Sequence, residues 1–407
     1  MRDRTLWALV AAEIVSSTGS ALTFLALPWF VLETGSPTKM TIVLAAEVLP
    51  MALFGIPSGT IVARFGARRT MLACDALRAP LIVLVPVLHW MGDLSFPLLL
   101  VIVFLVGVFI TPYVSSQRMI IPELFGDDER LVAKASGLFG GAVQLPIVIG
   151  PALSGLLIGL YGPPPLLVVD GATFLFAFVV VLTLVRGGRR VEPDEESRGV
   201  LAGVRYLARD RLLGPTTLTL IVLDGSANAI SVAVPLLAFT RYHHNAHVAG
   251  WIFTGFGVGA IAGSIVVMKL VDRFPPVKLA SVGIMLVAAP LWIVVAPVAW
   301  EVVCAALFAC GFFVPLINAP MMAIITTRPP AAVRAKVMTA IITASGLAGP
   351  GDRLLIGPIY NAWGNTGVWI LLAGGVSLGA VLFSAVALRG ARLDAQAAAL
   401  DVEPNGP

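Results

Sequence analysis

Apolar stretches of about 20 residues follow one another along this chain, divided by short polar breaks, and that pattern admits few folds. A helix of that length spans the hydrocarbon core of a bilayer while pairing every backbone N–H and C=O within itself. Charged residues make up 12% of the 407 residues and hydrophobic ones 58%. A soluble domain of this size does not cover its surface with so little charge. The spacing predicts spans at 6–32, 40–62, 70–91, 95–117, 137–160, 164–186, 214–239, 248–270, 277–299, 301–326, 337–360 and 366–388. The predicted fold is an all-α membrane protein with twelve transmembrane helices in two six-helix, pseudo-symmetric halves.

The basic residues orient these spans. Of 27 Lys and Arg residues, 23 lie at the N-terminus, in or bordering the even-numbered breaks, or after the last span. The odd-numbered breaks hold only Lys39 and Arg241, while Arg78 and Arg353 fall inside spans. By the positive-inside rule both termini are expected to be cytoplasmic in a multi-pass inner or plasma membrane protein. The net charge of +4 then reflects topology and gives no reason to expect nucleic acid. The first apolar run is too long for a signal-peptide core and is expected to be a retained helix. Cys74, Cys304 and Cys310 lie in spans, which speaks against a disulfide framework.

The sixth break is the longest and carries seven arginines, from Arg186 to Arg211. Val200 to Leu213 places apolar residues at helical spacing, with Arg205, Arg209 and Arg211 between them, as in an amphipathic helix on a membrane face. The expected organisation is a first six-helix half at 1–186, a linker with that helix at 187–213, a second half at 214–390 and a tail at 391–407. The halves echo each other. Ala26-Leu27-Pro28 matches Ala233-Val234-Pro235, Ala63-Arg64-Phe65 matches Asp272-Arg273-Phe274, and Tyr161-Gly162 matches Trp363-Gly364. Parallel repeats of this kind build transporters with a midplane site between them.

Six acids lie in the interior of the spans: Glu13, Glu47, Asp75, Asp170, Asp224 and Asp352. Each charge costs about 2.5–3.5 kcal/mol at mid-bilayer, so all six facing lipid would cost on the order of 15 kcal/mol. They must face a cavity, find partners or carry protons. Asp75 and Arg78, three apart on one helix, can pair. Glu13 and Asp224 read as deep, partner-poor carboxyls, with Asn228 one turn from Asp224. Asp352 and Arg353 are adjacent, so their side chains diverge by about 100°. Arg353 therefore needs another anion. Glu47 lies at a similar depth, and Asp224 is the alternative. His243 and His247 have helical metal-ligand spacing without a third ligand, so a solvated loop and no metal are expected. The absence of a GxxxxGK[ST] motif argues against intrinsic ATP hydrolysis, and no cofactor is expected.

Three stretches carry motif-like signal. Gly59 to Arg69 joins spans 2 and 3 with Gly59, Arg64, Gly66, Arg68 and Arg69. It resembles the loop signature of the major facilitator superfamily, except that Ala63 stands where that family has an acid. The second half keeps the acid as Asp272, beside Arg273. In span 5, Gly137, Pro146, Gly150, Pro151, Ser154 and Gly155 resemble the family's exporter signature, in which Gly and Pro bend the helix and permit tight packing. Ile121-Pro122-Glu123-Leu124 with Leu131-Val132-Ala133-Lys134-Ala135, together with Asp75, Arg78 and Asp170, is similar to the macrolide-efflux and siderophore-exporter branch.

The resemblance covers about residues 1–390. It implies a non-enzymatic secondary transporter, working as a monomer in the lipid bilayer, that exports a small amphipathic drug or natural product against protons by alternating access. It places Glu13, Glu47, Asp224 and Asp352 on cavity-lining spans as proton-coupling candidates. Asn228, Gln144, Asn318, Arg353 and Trp29 become cavity residues, with Phe24 and Phe253 as further walls. Spans 3 and 6 lie outside the cavity, which gives Asp75 and Asp170 structural roles. The latch on the cytoplasmic side is expected to rest on Asp272 and Arg273. The alternatives are an importer or uniporter, or a membrane sensor that keeps the fold without transporting.

Overall fold

The computed structural model describes residues 2–126, 129–185, 200–210 and 212–402, and among these the chain is helical throughout, joined by turns. The helices are α1 (Arg2–Thr34), α2 (Pro37–Phe65), α3 (Ala67–Met91), α4 (Phe96–Phe125), α5 (Glu129–Tyr161) and α6 (Pro163–Leu184). They continue with α7 (Val200–Arg209), α8 (Leu213–Arg241), α9 (Ala246–Leu270), α10 (Pro276–Val295), α11 (Trp300–Phe313), α12 (Pro315–Thr327) and α13 (Ala331–Val402).

Ten helical stretches among the described residues are long and apolar enough to cross a membrane. One of them, Pro350–Gly390, is 41 residues long and holds a break at Gly364, with φ 62° and ψ −160°. At about 1.5 Å per residue it covers two crossings. The Asn228–Arg241 part of α8 is a shorter apolar helix. Predicted span 10 is interrupted: Pro315 has no N–H to donate, and the Val314 N–H is shared between Cys310 O and Gly311 O at 3.2 Å each, separating α11 from α12. Taking α11 with α12 as one crossing, dividing α13 at Gly364 and leaving out α7 accounts for each of the twelve predicted spans.

The helix ends follow local chemistry. Ser36 caps α2 by accepting from Lys39 N at 3.2 Å, with Pro37 starting the first turn. The amphipathic helix stops at Arg209, earlier than the predicted Leu213. Asp210 ends it by capping the next helix: its Oδ1 accepts from Leu212 N at 2.9 Å and Leu213 N at 2.7 Å. The two paired dipeptides of the internal repeat share one backbone state. Gly162 has φ 75°, ψ 170° and Gly364 has φ 62°, ψ −160°, and each breaks the helix between two long stretches.

The chain forms two compact units. The first comprises residues 1–193 with 231–254 and 349–365; in it α1 packs on α5 and α6, α2 on α4, and α3 on α4 and α6. A core of Leu9, Met71, Cys74, Tyr113, Ile120, Ala135 and Val181, with their neighbours, fills the end of this bundle near the α2–α3 turn. The second unit comprises residues 194–230, 255–348 and 366–407, with α10 packed on α11 and α12. There α7 rests against its neighbours through Leu207, with Leu213, Ile325, Val337 and Ala340.

Candidate functional site

Polar and charged groups gather inside the first unit. Glu13 on α1 is 2% exposed and well partnered, contrary to its partner-poor reading. Ser17, one turn on, donates to Oε1 at 2.9 Å, Gln117 Nε2 donates to the same oxygen, and the Tyr113 hydroxyl donates to Oε2 at 3.2 Å. Tyr113 and Gln117 lie four apart on α4 and so present one face to α1. The sequence carries no sign of these two donors because they lie about a hundred residues from Glu13, on another helix.

The partner-poor carboxyls lie on α3 and α6. Asp75 is fully buried, and neither oxygen has a hydrogen-bond partner. It does not form the expected ion pair with Arg78. The guanidinium of Arg78 instead lies 4.0 Å from the ring centroid of Phe174 and 5.3 Å from that of Tyr113. Asp170 is 2% exposed; its Oδ2 accepts from Thr23 at 2.6 Å, while Oδ1 is bare. Gly19 on α1 leaves the room for it, since a Cβ there would lie 2.7 Å from Asp170 Oδ1. Arg78 and Asp170 line a cavity of about 110 Å³ with Glu47, Ser20 and Thr23, closed by Phe24, Leu27, Ile82, Val103, Val106, Ile110 and Phe174. Asp75 and Asp170 carry structural roles in the sequence reading, and the Thr23 hydrogen bond of Asp170 ties α6 to α1. Their spans are peripheral in the resembled fold, yet both side chains turn into the bundle.

Beside this cavity, Arg353 of α13 reaches α2. Its Nη1 donates to Leu44 O at 3.0 Å, while Nε has no partner. Glu47, three residues on from Leu44, is an electrostatic neighbour of Arg353 without a direct ion pair. The same stretch of α13 meets α2 again where Asn361 Nδ2 donates to Thr38 Oγ1 at 2.9 Å. Phe24 meets Phe253 edge to face at 5.2 Å. Trp29 is 1% exposed, donates to Glu33 at 3.0 Å and packs on Phe239 at 5.4 Å, so it is a packing residue at this contact. Asp352 is half-buried, and Gln144, Asn228 and Asn318 stand exposed on their helices. Asp224 lies on α8, and its side chain falls outside the described residues.

The Gly-Pro stretch of α5 is a packing surface. Gly150 is buried against Ala21 of α1. Pro151 and Gly155 face α9: a Cβ on Gly155 would lie 2.6 Å from Ala246 O, and one on Gly250 would lie 2.6 Å from Pro151 O. Gly250 had no signal of its own, because its role exists only through Gly155. Ser154 ties the stretch to α1 by donating to Leu22 O at 2.8 Å.

At the other end of the bundle, Gly66 turns α2 into α3 with φ 86°. The α3 N-terminus is held by Glu123 of α4, whose carboxylate accepts from Ala67 N at 2.9 and 3.1 Å. An acid from α4 thus satisfies this turn although Ala63 offers none. Arg68 donates to Leu182 O at 2.8 Å and to Val185 O, closing the last turn of α6. Arg64 lies over the Phe65 ring at 5.6 Å, and Arg69 is exposed. Gly59 is in α2, and Asp272 and Arg273 are exposed in the turn after α9.

In the second unit, Arg328 Nε lies 2.8 Å from Asp210 Oδ2. Burial works against the Asp210 carboxylate, but the hydrogen bonds from Arg328, Leu213 N and Leu212 N hold its pKa below the usual value. A lowered carboxyl pKa stabilises above the unfolded-state value, near about pH 4, and the contribution is lost as pH falls through the folded value. Asp210→Asn keeps the cap and removes the charge. It is expected to lower stability by about 0.5–1.5 kcal/mol at pH 7, with the deficit fading below about pH 4. Thermal unfolding of the solubilised protein across pH checks this; a deficit unchanged at pH 3 would rule the ion pair out as its source.

A family model described as a transmembrane secretion effector matches residues 1–405. The multidrug efflux pump Tap of Mycobacterium tuberculosis is 25% identical over 382 residues, 90% of this chain and 89% of that one. Macrolide efflux protein A of Streptococcus pyogenes is 20% identical over 191 residues, 46% of each chain. The crystal structure of nucleoside transporter NupG is similar with a TM-score of 0.74 at 11% identity, covering 94% of this chain and 98% of that one, a likeness of fold alone.

Proposed function

The chain belongs to the transmembrane secretion effector family of the major facilitator superfamily, and from that membership we propose that it exports a small amphipathic drug or natural product in exchange for protons. It is a multi-pass membrane transporter of small molecules. The observation that carries export is the α5 stretch Gly150, Pro151 and Gly155, seated without side chains against α1 and α9. Such a contact lets two helices roll or part without repacking side chains, as alternating access requires. The similarity to an efflux pump along 90% of the chain supports the same direction.

The two six-helix halves move against each other in this reading, with the Arg64–Arg69 turn and both termini in the cytoplasm. Arg353, Asn361 and Phe253 then close the outer side against α2 and α1. Gln144, Asn228 and Asn318 supply polar contacts to the substrate. Glu13, Glu47, Asp224 and Asp352 are the carboxyls on path-lining helices, and Glu47 is the one that opens onto the cavity in the first unit. Glu123 shares with Asp272 and Arg273 the task of holding the cytoplasmic turns.

Inside-out membrane vesicles test the proposal. Erythromycin, chosen as a macrolide probe, is expected to accumulate in the vesicle lumen when the lumen is acidic and to leak back when a protonophore collapses the gradient. Ethidium serves as a second, cationic probe. Accumulation insensitive to the protonophore would exclude proton exchange. No flux of either probe would favour a sensor that has kept the fold.

A further inference from the structure

The first unit holds more buried acid than its exporter role on the path-lining helices uses. Glu13, Glu47, Asp75 and Asp170 all lie within electrostatic reach of one guanidinium, that of Arg78. Glu13 has three hydrogen-bond donors, and Glu47 has Arg353 beside it. Asp75 and Asp170 are left with three bare carboxyl oxygens between them, in side chains at least nine-tenths buried. Ionised, Asp75 would meet the cost of desolvation with no hydrogen-bond donor and Asp170 with the Thr23 hydroxyl alone.

Arg78 offsets that cost only through its field. Its guanidinium lies on the Phe174 and Tyr113 rings, its Nε has no hydrogen-bond partner, and it makes no direct ion pair with either acid. Burial, bare oxygens and the position of Arg78 are together satisfied when both carboxyls hold protons. The cavity supplies a route. At about 110 Å³ it has room for water, for which roughly 10–15 Å³ suffices, and Glu47, Ser20, Thr23, Arg78 and Asp170 give that water polar partners.

We propose that Asp75 and Asp170, linked by Arg78, bind the proton exchanged for substrate, and that this structure shows the loaded state. Loading adds a proton to a carboxylate oxygen and leaves Arg78 on Phe174. Unloading returns that proton to water in the cavity beside Glu47. The carboxylate left behind draws Arg78 off the ring, so the site passes from the single positive charge of Arg78 when loaded to a neutral pair when unloaded. Glu13, Tyr113 and Glu47 face the pair from α1, α4 and α2 and set its field without carrying the proton.

The inference rests on the antiport reading, and its test separates the two. Full-length protein is placed in liposomes and erythromycin movement is measured two ways: uphill, driven by a pH gradient, and as exchange of labelled for unlabelled drug at equal pH. Wild type is expected to do both. D75N and D170N are expected to lose uphill movement to the level of empty liposomes while keeping exchange. The same proteins are titrated with pH by infrared spectroscopy. Wild type is expected to show a protonated-carboxyl C=O band that disappears at high pH, and each substitution is expected to diminish it. Exchange retained by D75N and D170N also shows that both fold. If neither exchanges, the infrared titration of E47Q decides: a band that survives there but fails in both aspartate variants supports the pair. A wild type indifferent to the gradient overturns antiport itself. Uphill movement that persists in D75N and D170N, or a band that both leave intact, overturns this inference alone.

Discussion

Replacing Gly155 by leucine is expected to stop transport, and replacing Gly250 by leucine to do the same. The two glycines let α5 and α9 touch through their backbones. A Cβ on Gly155 would press on Ala246 O and lie 3.2 Å from Gly250 Cα, and one on Gly250 would lie 3.3 Å from Gly155 Cα. Neither obstacle is a flexible side chain, so the helices themselves must separate. Added bulk in a packed core costs about 1–3 kcal/mol even where neighbours adjust, and here they cannot. Gly141, on the same helix, has open space where its Cβ would be. Gly141→Leu is the control, expected to keep most activity. Vesicle transport with each variant, together with the unfolding temperature, checks the argument. Gly155→Leu and Gly141→Leu of equal activity would defeat it.

The second large effect is expected at Arg353. Its hydrogen bond to Leu44 O joins α13 to α2, and Arg353→Glu would set an anion against that carbonyl and into the field of Glu47. Losing a charged hydrogen bond of this kind costs about 1.5–3 kcal/mol, before the repulsion from Glu47 is added. Thr38 and Asn361, hydrogen-bonded across the same contact, give a direct readout when both are changed to cysteine. Disulfide formation is expected to be efficient with Arg353 present and to drop several-fold with glutamate, together with transport. The swap Glu47→Arg with Arg353→Glu is expected to recover little, because the arginine uses the Leu44 carbonyl more directly than the Glu47 carboxylate. Full recovery by the swap would show that the ion pair, not the backbone contact, closes this end.

The helices and their breaks were legible in the sequence because length, apolarity and turn residues are local properties. Span 10 was read as one helix only because the effect of Pro315 depends on which donor it removes. The site was legible unevenly. Glu47 and Arg353 could be brought together by depth alone. Glu13 looked alone because its donors Tyr113 and Gln117 lie about a hundred residues away, on α4. Asp75 and Asp170 were assigned to packing by the position of their helices, yet a helix at the rim of a bundle still has one inward face. Glu123 was visible as a residue, but its partner is the backbone N–H of Ala67, which no side-chain pattern announces.

The helix breaks at Gly162 and Gly364 bear on how the protein is made. Each joins two membrane-length helices with no loop between them. With so short a connection the second helix of each pair follows the first closely into the bilayer, so the two members of each pair are expected to insert together. At Gly364 a Cβ would meet no neighbour, so what a larger residue disturbs there is the backbone angle. Substitution at these two positions is expected to lower the amount of protein in the membrane more than the transport rate of each molecule, which membrane yield measured beside vesicle transport checks.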